Sequence, residues 1–227
     1  MRLFVALVPP PEALSELAAV IAPLRPDWPA LRWASPDGWH VTLAFLGQVA
    51  EDRLDALSVR LERATSRHRS QEVRIGPGGA FPSSGRARVL WASIDAERQA
   101  LDGLARLAAS VAAGARRAGA PPPDEGRRYQ PHLTLARSKH PADVSPLVSA
   151  LASFRGAQWT AARTYLIRSH TGPQPRYETV ASWPLRDAGS QAGRSRSSAA
   201  GVDDAGSSRH VSDRASRRPD IPGARPD

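Results

Sequence analysis

The chain has 227 residues and no cysteine, which excludes disulfides and thiolate metal centres. Its formal net charge is +9, from 31 basic and 22 acidic residues, and among the basic ones only Lys139 is a lysine. Arginine binds phosphate bidentately and keeps its proton, so an acidic partner such as nucleic acid fits the charge. No apolar run approaches the roughly 20 residues needed to cross a bilayer. A chain without cysteines or a membrane span is expected in the cytoplasm.

Taken in chain order, "RLFVALV" from Arg2 to Val8 reads as a strand stopped by prolines. The apolar run is too short, and too quickly followed by Pro9, Pro10 and Pro11, for a secretory signal. Glu12 to Leu24 carries Leu14, Leu17, Ala18 and Ile21 at helical spacing. "WHVTLAFLG" from Trp39 to Gly47 is a strand, and Glu51 to Arg67 a helix faced by Leu54, Leu57, Leu61 and Ala64. "EVRIGPGGAF" and "RARVLWASI" are two strands joined around Pro82 to Gly85. A long amphipathic helix spans Ala96 to Ala118, and "PPPDEGRRYQ" is a loop. "PHLTLAR" is a strand, Val144 to Ser153 a short helix, and "GAQWTAARTYLIRS" and "RYETVASWPL" a closing pair of strands. Strands and helices alternate, but hairpin-like pairs are frequent, which predicts an α+β protein with mainly antiparallel sheet. One folded domain over residues 1–186 is expected, with no sequence sign of oligomerisation, hence a monomer. From Asp187 onward the chain holds seven arginines, six aspartates and no aromatic residue. That composition cannot bury enough apolar surface to offset its ordering entropy, so 187–227 is expected to be a disordered tail.

One pattern occurs twice. "HVTL" begins at His40 and "HLTL" at His132, 92 positions later, in a chain with only six histidines. Side chains alternate faces along a strand. His40, Thr42 and Ala44 are therefore expected on one face, with Val41, Leu43 and Phe45 opposite. His132, Thr134 and Ala136 are expected together, with Leu133, Leu135 and Arg137 opposite. Each strand then buries aliphatic side chains and presents a His–Thr pair, which a half-buried strand with a solvated polar face would also do. Two imidazoles, one protonated and one not, can activate a water on one side of a phosphorus and protonate the departing oxygen on the other. Threonine hydroxyls can donate to the non-bridging oxygens. No HExxH, DxD or His/Asp/Glu cluster at ligand spacing lies near either motif, so neither metal nor other cofactor is expected. "GPGGAFPSSG" lacks the Lys-Ser/Thr of a phosphate-binding loop, and no G-x-S-x-G is present.

With both motifs set in "RWASPDGWHVTLAFLGQV" and "YQPHLTLARS", together with "RLFVALVPP", "GGAFPSSGRARVLWASI" and "IRSHTGPQPRYETVASWPL", the chain resembles the two-histidine phosphoesterases. It is most similar to the bacterial and archaeal RNA 2′,3′-cyclic phosphodiesterases, historically called 2′-5′ RNA ligases, over nearly all of 1–186. The resemblance implies two pseudo-symmetric α+β lobes whose sheets form a central cleft, with one motif from each lobe. It implies His40 and His132 as the catalytic pair and Thr42 and Thr134 as phosphate ligands. The implied reaction opens a terminal RNA 2′,3′-cyclic phosphate to a 2′-phosphate without a metal. Our preferred roles are His40 as general acid and His132 as general base, and they exchange for the reverse, ligating direction. Arg137 is a further candidate for the phosphate, although strict alternation turns it away, and Phe45 is expected in the core. Tyr177 is a candidate platform for a base. His68, His140, His170 and His210 are expected to be solvated or in loops. A 2′-5′ ligase, a small cyclic-nucleotide phosphodiesterase and a non-catalytic RNA-end binder are the competing readings.

Overall fold

The structure is a computed structural model, and it describes residues 1–123, 128–170, 172 and 176–187. The expected disordered tail lies, from residue 188 on, outside the described residues. The strands are β1 (Arg2–Leu7), β2 (Arg32–Trp33), β3 (Val41–Gln48), β4 (Gln71–Phe81), β5 (Ala87–Asp95), β6 (His132–Ala142), β7 (Trp159–Ala161), β8 (Arg163–His170) and β9 (Arg176–Pro184). The helices are α1 (Pro11–Ile21), α2 (Leu54–Thr65), α3 (Arg98–Arg117) and α4 (Ser145–Ala150). The strands join edge to edge in the order β7-β4-β5-β6-β3-β1-β8-β9, with β2 alongside β6.

This order divides into two equivalent halves. One lobe is β7-β4-β5-β6, the other β9-β8-β1-β3, and the motif-bearing strands β6 and β3 are the innermost of each. Each is reached from its inner neighbour through a helix, β5-α3-β6 in one case and β1-α1-β3 in the other. The halves meet at β3 and β6 through one antiparallel pair, Val41 with Leu133. The α+β fold with pseudo-symmetric lobes and outer helices is thus as the sequence leads one to expect.

The helices cover one face. Leu17 and Ile21 of α1, Leu57 and Leu61 of α2, and Leu104, Leu107 and Val111 of α3 are fully buried against Leu3, Val5, Val41, Leu43, Leu90, Leu133 and Leu135 of the strands. The 3.6-residue spacing of these apolar side chains puts each set on one stripe of its helix. α2 and α3 cross closely at Gly114, where a Cβ would stand 3.2 Å from the Arg60 carbonyl oxygen.

Three expectations need correction. The single strand anticipated over 156–169 is two: β7 pairs with β4 in one lobe, β8 with β1 in the other, and the chain crosses between lobes at Ala162. His140 lies in an exposed extension of β6, not a loop. His170 ends β8, and its Nε2 lies 2.9 Å from Glu178 Oε2 across the β8–β9 pair.

Leu107 has almost no exposed surface at the centre of the sheet–helix interface. Leu107→Ala should lower unfolding stability by about 2–5 kcal/mol, read from chemical denaturation. Turnover per folded molecule should stay near wild type.

Candidate active site

The open face of the sheet carries both motifs, and the Val41–Leu133 pair fixes their relation. Val41 and Leu133 point down into the core. Carrying that antiparallel register one residue each way sets His40 opposite Thr134 and Thr42 opposite His132. All four side chains then stand on the face away from the helices. The two histidines are diagonal neighbours, which in a regular ladder separates their Cα atoms by about 7–8 Å.

Both imidazoles are held alike. His40 Nδ1 lies 2.8 Å from the Gly38 carbonyl oxygen, and His132 Nδ1 lies 2.7 Å from that of Gln130, in each case two residues back. A carbonyl only accepts, so Nδ1 carries the hydrogen, and Nε2 has no hydrogen-bond partner among the described residues. The short 3₁₀ turn Pro36–Gly38 aims the first carbonyl. Each ring is also walled by two aromatics. Phe4 stacks on His40 at 4.5 Å between centroids and Tyr177 meets it edge-on at 5.3 Å. Phe81 stands edge-on to His132 at 5.1 Å, with Trp91 at 6.0 Å. Two glycines make room. A Cβ on Gly79 would lie 2.2 Å from the Trp91 ring, and one on Gly38 3.0 Å from the Tyr177 ring.

Strict alternation fails in both motifs at the same place. Ala6 pairs with Thr42 but Val5 with Ala44, so Leu43 is an extra residue in β3. Trp91 pairs with Thr134 but Leu90 with Ala136, so Leu135 is an extra residue in β6. Such a bulge turns every later side chain to the other face. Ala44 and Ala136 therefore join the core, against expectation. Phe45 leaves the main core and packs on the open face beside Phe4, Ala6 and Ile167. Arg137 comes to the open face opposite Val89. Arg2 lies over the Phe45 ring, 4.9 Å from its centroid, and Arg32 is paired in register with Arg137.

These groups influence one another's titration. Burial lowers the His40 pKa from 6.5 to about 4, opposed by the Gly38 hydrogen bond and reinforced by the positive charges of Arg137 and His132. The His132 pKa is lowered by burial too, again with Arg137 adding and the Gln130 hydrogen bond opposing. Burial likewise lowers the Arg137 pKa; Tyr177 opposes this, while Arg32 and Arg2 add to it. His68, by contrast, sits on the helix side with Nε2 2.8 Å from Ser110 Oγ. Among the described residues no group of three or more His, Cys, Asp or Glu side chains could hold a metal ion. Nor, among them, is any helix long and apolar enough to cross a membrane.

Thus the fold brings together His40, His132, Thr42, Thr134, Arg137 and Tyr177. Phe4, Phe81, Trp91 and Arg2 belong to the same surface and were missed. Their only sequence signal was aromatic or basic alternation within strands, which does not tell which face is open. Duplicated imidazole–hydroxyl pairs on one antiparallel sheet, with rings freed at Nε2, define a two-histidine phosphoesterase.

Comparison with known proteins agrees. Residues 9–173 match the 2'-5' RNA ligase superfamily, and the chain belongs to that family. It is 33% identical over 196 residues to the RNA 2',3'-cyclic phosphodiesterase of Thermus thermophilus, spanning 82% of this chain and 91% of that protein. It is 29% identical over 184 residues to the Escherichia coli protein of the same name, spanning 81% and 96%. A crystal structure of a Thermus thermophilus protein superposes with a TM-score of 0.67 at 29% identity, covering 83% of this chain and all of that one. Escherichia coli LigT complexed with 3'-AMP superposes with a TM-score of 0.63 at 28% identity, covering 81% and 97%.

Both imidazoles should titrate low in the ligand-free protein, His40 near 4 and His132 below 6.5, as followed by NMR of the ring protons. Arg137→Gln should raise both midpoints, because a cation that disfavours imidazolium is removed. Above pH 6.5 the two histidines are neutral in folded and unfolded chains alike. As pH falls from 6.5 toward 4, the unfolded chain takes up a proton that the folded one refuses, so stability should fall across that window.

Proposed function

We propose that the chain hydrolyses the 2′,3′-cyclic phosphate at the end of an RNA to a 2′-phosphomonoester, using His40 and His132 as a general acid–base pair. The observation that supports this most is the matched hydrogen bonding of two imidazoles set diagonally across one strand junction, each with Nε2 free. Family membership and the shared name of the relatives point the same way. The cyclic ester binds between the rings. Its non-bridging oxygens accept from the Thr42 and Thr134 hydroxyls and from the Arg137 guanidinium. These donors stand in place before charge accumulates on the phosphoryl oxygens.

In our reading His132 takes a proton from water as it attacks phosphorus, and His40 protonates the departing 3′-oxygen. With both pKa values lowered by burial, the bound phosphodiester anion has the task of drawing the proton onto His40. A negative charge beside an imidazole favours its charged form. The same two groups with exchanged roles serve the reverse, ligating direction by microscopic reversibility. The exposed Tyr177 ring, edge-on to His40, is the platform we assign to the terminal base. RNA as substrate would place the enzyme in the cytoplasm. No step calls for a metal.

His40→Ala and His132→Ala should each cut kcat by about 10²–10⁴-fold on a 2′,3′-cyclic-phosphate oligonucleotide. The double variant should be much less than multiplicative, as groups acting on one transition state are. The product should be a 2′-phosphate by phosphorus NMR, and EDTA should leave the rate unchanged. Unchanged turnover in both single variants, or EDTA inhibition reversed by a divalent metal, would refute the mechanism.

A further inference from the structure

The helix-covered side of the molecule carries a second group of anion-binding side chains, away from the paired histidines. His68 follows α2, and its Nε2 lies 2.8 Å from Ser110 Oγ of α3. Arg106 stands four residues before Ser110, so the two share one stripe of that helix. The segment after β9 closes the third side. Arg186 donates its backbone N–H to the His68 carbonyl, and its own carbonyl accepts from Ser70, each at 2.8 Å. The Arg186 guanidinium, which has five donors, gives an N–H to the Arg67 carbonyl at 2.6 Å. Three pieces of chain far apart in sequence thus gather Arg67, Arg106 and Arg186 about one imidazole–hydroxyl pair. All three arginines are exposed. Among the described residues none of them is ion-paired, Asp187 beside Arg186 included; the pairs found are Arg155–Asp95 and His170–Glu178. His68 registers the field: burial lowers its pKa, and Arg106, Arg186 and Arg67 lower it further. Like charges gathered this way repel, and an anion among them would relieve the repulsion.

We propose that Arg67, Arg106 and Arg186, with the Ser110 hydroxyl, form an exosite for backbone phosphodiesters of the RNA strand, upstream of the end that lies in the catalytic cleft. This rests on reading the chain as an RNA-end phosphodiesterase. Exposed guanidiniums suit an extended polyanion, whose phosphates lie at its surface, and they bind it without reading its sequence. β9 leads from one site to the other. It is the edge strand of the sheet, so a nucleic-acid strand can pass round it from the open face to the helix side. Tyr177, near its start, meets His40 edge-on. Arg186 lies nine positions after Tyr177, about 30 Å away at the rise of a strand. Stacked bases rise about 3.4 Å each, so about nine nucleotides cover that distance. A long RNA therefore reaches both sites and a very short one only the cleft.

The test uses the full chain and two RNAs with 2′,3′-cyclic phosphate ends, a trinucleotide and one of about 15 nucleotides, long enough to reach the cluster. Arg67→Gln combined with Arg106→Gln should raise KM for the long RNA about tenfold and leave its kcat unchanged. Both constants for the trinucleotide should stay at wild type, which also shows that the variant is folded. The slope of log KM against log salt for the long RNA should shrink by about 1.4, from two phosphate contacts at about 0.7 each on a single strand. Arg88→Gln combined with Arg98→Gln, the same loss of charge elsewhere, should change neither RNA. In wild type the long RNA should also raise the titration midpoint of the His68 ring, because phosphate beside an imidazole favours its charged form. The charged groups around that ring are Arg67 and Arg69 of its own segment, Arg106 of α3 and Arg186 after β9. An unmoved KM for the long RNA, an equal rise for both RNAs, or the same rise in the control pair overturns the proposal. Anisotropy of a 3′-hydroxyl RNA of the same length keeps the two readings apart. Wild type that hydrolyses neither RNA defeats the proposed function; about tenfold weaker anisotropy binding in the Arg67/Arg106 variant would still support the exosite, and unchanged binding would defeat it.

Discussion

Two halves of a sheet touch at one backbone pair, Val41 with Leu133, and almost everything functional follows from that contact. Both side chains are buried, so neither strand can slip by one residue without exposing an aliphatic side chain and burying an imidazole. The register that satisfies the core is thus the register that sets His40 opposite Thr134 and Thr42 opposite His132. Elsewhere the two strands turn outward, β3 to β1 and β6 to β5, each through many pairs. A short junction between two well-paired lobes leaves the sheet continuous below and open above. That is the shape a site needs if it must approach one phosphorus from opposite sides.

Desolvation is the second constraint. An imidazole walled by aromatics loses water and resists protonation, and the rings of His40 and His132 are both so walled. The carbonyl on each Nδ1 partly offsets this and fixes the tautomer. The pair therefore holds two Nε2 lone pairs near the positive charge of Arg137. A negative charge beside an imidazole favours its charged form, so under the proposed function substrate binding and readiness for proton transfer would be a single electrostatic event.

The paired bulges carry the remaining logic. One extra residue after each His-x-Thr withdraws an alanine into the core and returns the next side chain to the open face. Because the device is duplicated, its two outputs, Phe45 and Arg137, occupy equivalent places in the two ladders. The same bulges account for two errors of strict alternation, the placement of Phe45 in the core and the turning of Arg137 away from the site.

The His-Thr pairs, their aliphatic undersides and the helix stripes were legible because each depends on spacing within a few residues of chain. So was the duplication itself, which is a property of the linear sequence. Tertiary structure decided what depends on partners far along the chain. It split the strand at Ala162 because residues 159–161 find β4 and residues 163–170 find β1, a choice no local pattern records. It brought Tyr177 to His40 by adding β9 to the edge of β8, and Trp91 to His132 by laying the indole over Gly79. It also chose where the ladders skip a residue, because a bulge belongs to a pair of strands and neither sequence alone contains it.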